Sequence, residues 1–291
     1  MPGEDKAYDV EVSFLYPDLV QGMHEDVRRH FEPMVRATDA LPEVHLLASL
    51  CLRQVRLCRA TRAVAMEGLM EESQMPLRSA TESLVNLLYI MEVGPALGDK
   101  DTRSLATQFM SYGHVAYYKL LSRRPNQARS TFRRRKAMSD EEYDRFLDEK
   151  KRLRDEAIAV HGCTSRRWHQ SPLDQMAERV RDNAPDYVDQ GFADMLLSSF
   201  VSTNSATHSD ALSLRSSYAG LGNEPLELTF VADGSYPTAA AMMALWSWRA
   251  MARYFGQEKW LEDAVNETMR GRLLAKLEAA EEVEARRVFR L

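Results

Sequence analysis

The most apolar stretch of this chain is TAAAMMALWSWRAMARYF, residues 238–255. It is apolar nearly all round, which is typical of a helix buried at the centre of a helical bundle. Arg249 and Arg253 lie within it, and membrane spans rarely tolerate two such arginines. We therefore expect a central bundle helix here, and no contact with a membrane.

Helical periodicity extends outward from this segment. Apolar residues recur at three- and four-residue spacing over residues 41–72, over RSATESLVNLLYIME (residues 78–92) and over residues 258–287. Residues 209–235 have the weakest helical pattern, and we expect them to be mostly irregular. The sequence predicts an all-α fold, a single helical domain over residues 1–291 built as a bundle of about eight to nine helices.

Local signals mark several helix ends. Gly94 and Pro95 predict the end of the helix that precedes them. Ser139 and Glu142 have the spacing of a capping box at the start of another helix. Ser171 is the predicted N-cap of the short helix in PLDQMAERVRD.

Composition places the chain among ordinary globular proteins. Of its 291 residues, 45% are hydrophobic and 28% are charged, and the formal net charge is −5. This mixture excludes wholesale disorder. Three cysteines are a poor disulfide framework, and Cys51 and Cys58 are expected to be buried thiols. No signal peptide is apparent in the first twenty residues, so we expect a cytoplasmic protein.

Several catalytic motifs are missing from the sequence. It contains no GxxxxGK[ST], no GxGxxG after a strand, no HExxH, no CxxC and no GxSxG. P-loop nucleotide hydrolysis, zincin chemistry and serine-hydrolase chemistry therefore lose support. We expect no cofactor and no metal ion.

Two polar pairs are candidates for chemistry. Arg78 and Glu82 are four residues apart, so they share a helix face and form either a structural ion pair or a polar site in the core. Ser205 and His208 lie near the predicted end of a helix. His208 is suited either to proton transfer or to interaction with the helix C-terminus.

Other candidates are aromatic or basic. Trp168 precedes the short helix and is explained by packing there, and Tyr112 is either a core or a site residue. Arg154 and His161 have the Arg-x4–6-His spacing of HEPN ribonucleases, but about two such matches are expected by chance.

The most basic part of the chain is RRPNQARSTFRRRK, residues 123–136, with seven basic residues and no acidic one. We interpret it as an exposed connection that is either simply solvated or in contact with nucleic-acid phosphates. The candidate RNA-binding residues in it are Arg123, Arg124, Arg133, Arg134 and Arg135.

The order of these residues resembles the signature of an uncharacterised all-helical bacterial domain family. In that family an Arg-x-x-x-Glu helix is followed by a Tyr-bearing helix, a Trp before a short helix, a second Tyr and a Ser/His pair. The matching positions, within a family-like core of about residues 45–215, are Arg78, Glu82, Tyr112, Trp168, Ser171, Met176, Tyr187, Ser205 and His208. The C-terminal helices, residues 238–288, then complete the bundle or mediate association.

The helical layout of that family is similar to HEPN-like and abortive-infection proteins, many of which cut RNA in defence against phage. The resemblance implies a polar pocket in which Arg78, Glu82, His208, Tyr112 and Tyr187 converge. One hypothesis is a metal-independent ribonuclease or toxin, in which His208 moves a proton, Arg78 stabilises charge and Glu82 orients Arg78. This chain departs from the HEPN pattern, since no Arg-x4–6-His falls on the predicted helix of His208.

The alternative hypothesis is a non-catalytic sensor or protein-interaction module. In it the polar cluster is structural, and the C-terminal helix supplies a surface for a second copy or a partner protein. A lesser hypothesis is a metal site built from Glu82, His114 and His208.

Overall fold

A computed structural model describes residues 15–38, 41–69, 72–123, 125–136, 138–164, 166–188 and 235–272. Every regular element in this part of the chain is a helix, which confirms the all-α prediction. Residues 209–234, expected to be mostly irregular, lie outside it.

The described part of the chain forms nine main helices. They are α1 (Leu15–Ala37), α2 (Pro42–Met66), α3 (Gln74–Leu88), α4 (Thr102–Arg123), α5 (Pro125–Lys136), α6 (Asp140–Ala159), α7 (Leu173–Asp182) and α8 (Ser235–Tyr254), followed by α9 over residues 258–272.

Helix α8 lies at the centre of the bundle and packs against α1, α2 and α3. Ala240, Ala241 and Ala244 are each 0% exposed, and their small side chains allow the neighbouring helices to approach closely. Trp246, which is also buried, adds a large apolar surface to the same helix. The expected central helix is therefore confirmed.

No helix in the described ranges combines the length and hydropathy needed to cross a bilayer.

One hydrophobic cluster joins α8 to α1, α2, α3, α4, α7 and α9. Cys51 and Cys58 of α2 belong to it, as expected for buried thiols. Burial raises the pKa of each thiol to about 12, because a thiolate is poorly solvated there. Neither cysteine is suited to nucleophilic chemistry at neutral pH.

The end of α3 differs from the prediction. Gly94 and Pro95 do not end the helical path, which continues through a π turn at Tyr89–Val93 into the short helix Gly94–Ala96. The Gly94 N–H donates to the Tyr89 carbonyl, five residues back. The wider turn carries the chain past Pro95, whose ring would clash in a regular helix interior.

Helices α5 and α6 form a tip that is carried by α4. Among the described elements α6 packs chiefly on α4, and α5 contacts both. A small separate cluster of Val115, Ala157 and Cys163 holds α6 to α4. The predicted capping box starts α6: the Glu142 N–H donates to Ser139 Oγ at 3.2 Å, and the Ser139 N–H donates to Glu142 Oε2 at 2.7 Å.

The predicted cap of α7 is wrong. Pro172 occupies the N-cap position with an extended backbone, and no side chain caps the helix. Ser171 lies one residue further out, where its N–H donates to His169 Nδ1 at 3.0 Å. Pro172 fits this position because a proline has no N–H to leave unsatisfied at a helix start.

Candidate functional site

Arg78 and Glu82 lie one turn apart on α3 and form an ion pair. Arg78 Nη2 donates to Glu82 Oε1 at 2.9 Å, and the two side chains are 18% and 37% exposed. The pair therefore lies at the edge of the core with access to solvent. One turn further on, Asn86 Nδ2 donates to the Glu82 carbonyl at 2.7 Å. This geometry allows Glu82 to orient Arg78, and it equally suits a structural ion pair.

Trp168 links α3 to α4. Its Nε1–H donates to Asn86 Oδ1 at 2.8 Å, and its carbonyl accepts from Gln108 Nε2 at 2.7 Å. The side chain is buried, and these bonds satisfy the N–H of its indole and the carbonyl of its backbone. Tyr112, one turn beyond Gln108, is half-buried and packs against both hydrophobic clusters. Burial raises the pKa of Tyr112, which keeps its phenol neutral.

Tyr187 has a different set of neighbours from Arg78. Its hydroxyl donates to Glu92 Oε1 at 3.3 Å, and its carbonyl accepts from Arg249 Nη1 at 2.9 Å. The Arg253 guanidinium lies 5.5 Å from the centre of the tyrosine ring. Burial raises the pKa of Tyr187 and the pKa of Glu92. The described contacts thus place Tyr187 between the π turn and α8.

Ser205 and His208 lie outside the described residues. The convergence of His208 with Arg78 therefore stays a prediction, as does the metal site of Glu82, His114 and His208. His114 is exposed on α4. In the parts of the chain that the structure describes, no three His, Cys, Asp or Glu side chains are grouped to hold a metal ion.

Four polar side chains that the sequence analysis did not single out meet beside the π turn. Tyr89 Oη donates to Asp99 Oδ2 at 2.7 Å and accepts from Arg179 Nη1 at 3.0 Å. His169 Nε2 lies 2.8 Å from the same Asp99 oxygen. These residues are far apart in the sequence and match no motif. The only available signal was the position of His169 directly after Trp168.

The hydrogen bonds of His169 define its tautomer. Nδ1 accepts from the Ser171 N–H, so Nε2 carries the proton and donates it to Asp99. The His169 side chain is only 8% exposed. Because both ring nitrogens already have partners within the protein, the ring has no free nitrogen for proton exchange with a ligand.

The surroundings of this cluster determine which of its four side chains are charged at neutral pH. Burial, together with the positive charges of Lys100 and Arg179, lowers the pKa of His169 more than Asp99 raises it. Burial opposes ionisation of Asp99, but hydrogen bonds from Tyr89 and His169 and nearby positive charge outweigh it and lower its pKa. Burial and Asp99 raise the pKa of Tyr89. At neutral pH the cluster therefore contains a neutral histidine, a neutral tyrosine, a carboxylate and the Arg179 guanidinium.

The basic segment of residues 123–136 is largely helical, so its interpretation as a connection is wrong. Residues Pro125–Lys136 form α5. Pro125 is at the first helical position, where its missing N–H has no cost. Arginine, glutamine and alanine then favour continued helix. A helix holds the basic side chains in a fixed order around one axis.

Two arginines of α5 are tied to α6. Arg133 Nη2 donates to Asp140 Oδ2 at 2.8 Å, and Arg129 forms an ion pair with Asp144. These carboxylates neutralise part of the positive charge that the sequence concentrates here. Arg133, a predicted RNA-binding residue, is therefore less available to an external anion than its sequence context suggests.

Two other predicted RNA-binding arginines have guanidinium groups that an external anion can reach. Arg123 and Arg134 are exposed, and neither has a carboxylate partner in the described ranges. Arg134 Nε donates to the Ser130 carbonyl at 3.4 Å. Arg124 and the side chain of Arg135 lie outside the description.

Beside these arginines lies an open cleft of about 580 Å³, here called the α4–α5 cleft. Its lining includes Tyr117, Leu120, Arg123, Gln127 and Phe132. Leu120 is 66% exposed and Tyr117 is 38% exposed. Apolar and aromatic surface, an amide and a guanidinium thus share one accessible groove, which is a combination that can hold an unpaired base next to its phosphate.

Comparison with known proteins gives one family. The model of the Family of unknown function (DUF5677) matches residues 44–224. No curated protein and no solved structure matches the chain. The matched region is more than half of the chain and contains every residue on which the resemblance to an uncharacterised helical family was based. The chain therefore belongs to the family of unknown function DUF5677.

Proposed function

We propose that the protein acts on RNA, which it holds at the tip formed by α4, α5 and α6. The supporting observation is the α4–α5 cleft, where Tyr117 and Phe132 lie beside Arg123, whose charge is not neutralised by any described carboxylate. Proteins that bind single-stranded nucleic acids combine cations for the phosphates with aromatic rings for the bases. The net charge of the chain is −5, so local charge and not overall charge directs the contact.

The proposed reaction is metal-independent cleavage of the phosphodiester bond. The ribose 2′-hydroxyl loses its proton and attacks the adjacent phosphorus. The bond from phosphorus to the 5′ oxygen breaks, and that oxygen gains a proton. His208 transfers the proton, Arg78 stabilises the negative charge on phosphorus and Glu82 orients Arg78. The 2.9 Å bond between Arg78 and Glu82 supports the last of these roles.

RNA binding is tested separately from cleavage. Fluorescence anisotropy of a labelled oligouridylate of about 15 nucleotides is measured with the wild type, Arg123→Gln and Arg134→Gln. We expect each substitution to weaken binding, and to reduce the slope of log Kd against log salt by about 0.7 for each lost phosphate contact. Arg36→Gln, an equal charge change at an exposed position of α1, is the control. Absence of binding by the wild type would contradict the proposal.

Cleavage is tested on total RNA in the presence of EDTA. We expect fragments with 2′,3′-cyclic phosphate ends from the wild type, and intact RNA from His208→Ala and Arg78→Ala. Thermal unfolding of both variants is followed in parallel, and loss of cleavage supports a catalytic role only in a variant that melts near the wild-type temperature. Intact RNA with every protein rules out the nuclease.

The second candidate is a non-catalytic sensor or interaction module. The observation that favours it is the cluster of Tyr89, Asp99, His169 and Arg179, whose polar groups satisfy one another. A polar network of this kind specifies packing without any chemistry. In this candidate the C-terminal helix, of which residues 258–272 are described, binds a second copy or a partner protein. RNA binding without cleavage, or a dimer lost on truncation after residue 272, would favour it.

We also propose a cytoplasmic location and a role in bacterial defence or as a toxin. The proposed role rests on the resemblance to HEPN-like and abortive-infection proteins. Its direct test is expression in bacteria: wild-type protein should slow growth or limit phage infection, and His208→Ala should not.

A further inference from the structure

A second cleft lies on another side of the same tip, between α4, α6 and the loop that follows α6. We call it the α4–α6 cleft; its volume is about 590 Å³. Lys119 and Arg123 of α4, Arg154 of α6 and Arg166 of the loop line it together with Tyr118. Arg123 also lines the α4–α5 cleft, so the two clefts meet at this residue.

The guanidinium of Arg154 and the backbone at Arg166 are held in place. The Arg154 guanidinium lies 4.4 Å from the centre of the Tyr118 ring, and its Nε donates to Asp155 Oδ1 at 2.8 Å. The backbone N–H of Arg166 donates to Thr164 Oγ1 at 3.2 Å, which fixes the loop that carries it. A guanidinium positioned in advance loses less conformational freedom when an anion binds.

The charges in the α4–α6 cleft are not balanced. Asp155 pairs with Arg154, while Lys119, Arg123 and Arg166 have no carboxylate at ion-pair distance anywhere in the described parts of the chain. Four cations therefore face one carboxylate. Like charges that line one cleft repel one another, and an anion bound among them relieves that repulsion. The cleft is thus complementary to a chain of negative charges.

We propose that the α4–α6 cleft binds the phosphodiester backbone of single-stranded RNA, continuing through Arg123 the path that begins in the α4–α5 cleft. This inference rests on the proposed function and adds Lys119, Arg154 and Arg166 to its binding residues. An acidic protein segment has similar charge, but it has no bases for the aromatic rings of the adjoining cleft. Single-stranded RNA has phosphates for the cations of the α4–α6 cleft and bases for the aromatic rings of the α4–α5 cleft.

The test compares two cleft variants with a matched control. The variants are the double substitution Arg154→Gln/Arg166→Gln and the single substitution Lys119→Gln, which changes an exposed side chain. The control is Arg152→Gln on α6, whose side chain is 67% exposed and paired with Glu156, and which does not line the cleft. Anisotropy of the labelled oligouridylate is measured over a salt series.

We expect the double variant to weaken RNA binding about tenfold and to lower the salt slope by about 1.4, the value for two lost phosphate contacts. Lys119→Gln should lower the slope by about half as much, and Arg152→Gln should behave as wild type. Because no described bond involves the Lys119 side chain, its variant tests the cleft even if the double variant unfolds.

The possible failures can be told apart. If the wild type binds RNA and Arg123→Gln weakens it, but the cleft variants bind as wild type, the cleft is not part of the path and only this inference fails. If the wild type binds no RNA, the proposed function and this inference fail together. Displacement of RNA by polyglutamate at equal charge concentration would assign the cleft to an acidic protein segment and overturn the inference.

Discussion

His169 is a buried histidine that the fold keeps neutral. Burial lowers its pKa from 6.5, and the Ser171 N–H occupies the nitrogen that a second proton would need. Below pH 6.5 the unfolded chain therefore binds a proton that the folded chain does not. The contribution of His169 to stability is complete above pH 6.5, and it is lost as the pH falls from 6.5 toward the lowered pKa of the folded state.

We predict that His169→Gln removes this pH dependence. Glutamine can still donate to Asp99, but it does not titrate. Between about pH 7.5 and about pH 5.5 the wild type should lose up to about 1.4 kcal/mol more stability than the variant, the value of one pH unit below the unfolded pKa. Urea unfolding at both pH values measures the difference.

Other titrating groups affect both proteins equally in this comparison. Burial also lowers the pKa of His24, and it raises the pKa of Glu92, so their contributions cancel when the variant is subtracted from the wild type. An identical pH dependence in the two proteins would show that His169 accepts its proton as readily when folded as when unfolded.

At the scale of elements, the junction between the π turn and the short helix Gly94–Ala96 depends on close approach at Gly94. A Cβ added there would lie 2.8 Å from Leu105 Cδ1 and 2.9 Å from the Tyr89 carbonyl oxygen. Both distances are shorter than a van der Waals contact. Glycine is therefore required by the packing of the π turn against α4, and not by its backbone conformation.

We predict opposite effects of two glycine-to-alanine substitutions. Gly94→Ala should destabilise the protein by about 1–3 kcal/mol, because the methyl group overpacks the junction. Gly113→Ala, within α4, should stabilise it by up to about 1 kcal/mol, because alanine favours helix and nothing lies within 4 Å of the added Cβ. Denaturant unfolding of both variants measures the contrast. A stabilised Gly94→Ala protein would contradict the close approach.

The elements also show what the sequence can predict. The buried α8 and the capping box of Ser139 and Glu142 were predicted because each depends on neighbours in the sequence. The ion pair of Arg78 with Glu82 follows from helical spacing in the same way. The stop at Gly94 was wrong because the π turn accommodates Pro95.

The candidate site was predicted less completely, because its contacts join residues that are far apart in the sequence. The contact between Asp99 and His169 joins two loops, and the α4–α6 cleft joins α4, α6 and a loop. Neither arrangement has a spacing that a sequence pattern can detect. Arg154 attracted interest through a chance-level motif with His161, whereas the structure places it over Tyr118.

At the scale of the molecule, the core around α8 and the tip formed by α5 and α6 differ in how extensively they are packed. The large cluster joins α8 to six other helices. The tip is held by the small cluster of Val115, Ala157 and Cys163, by ring contacts among Phe132, Tyr143 and Phe146, and by ion pairs between exposed side chains. Such exposed pairs contribute little, with a median of about 0–1 kcal/mol. The tip therefore has a smaller free energy of opening than the core. The proposed RNA surface lies on this less stable part, where residues can adjust to a ligand.

We predict that amide hydrogen exchange separates the two parts. Amides of α5 and α6 should exchange faster than those of α8, which should exchange only by global unfolding. Val115→Ala, which removes two methyl groups from the small cluster at a cost of about 1–3 kcal/mol, should accelerate exchange in α6 and leave α8 nearly unchanged. Equal acceleration in both helices would mean that the tip and the core unfold as one unit.

Added RNA should slow amide exchange selectively in α4 to α6, because a ligand that binds only the closed tip lowers the population of its open state.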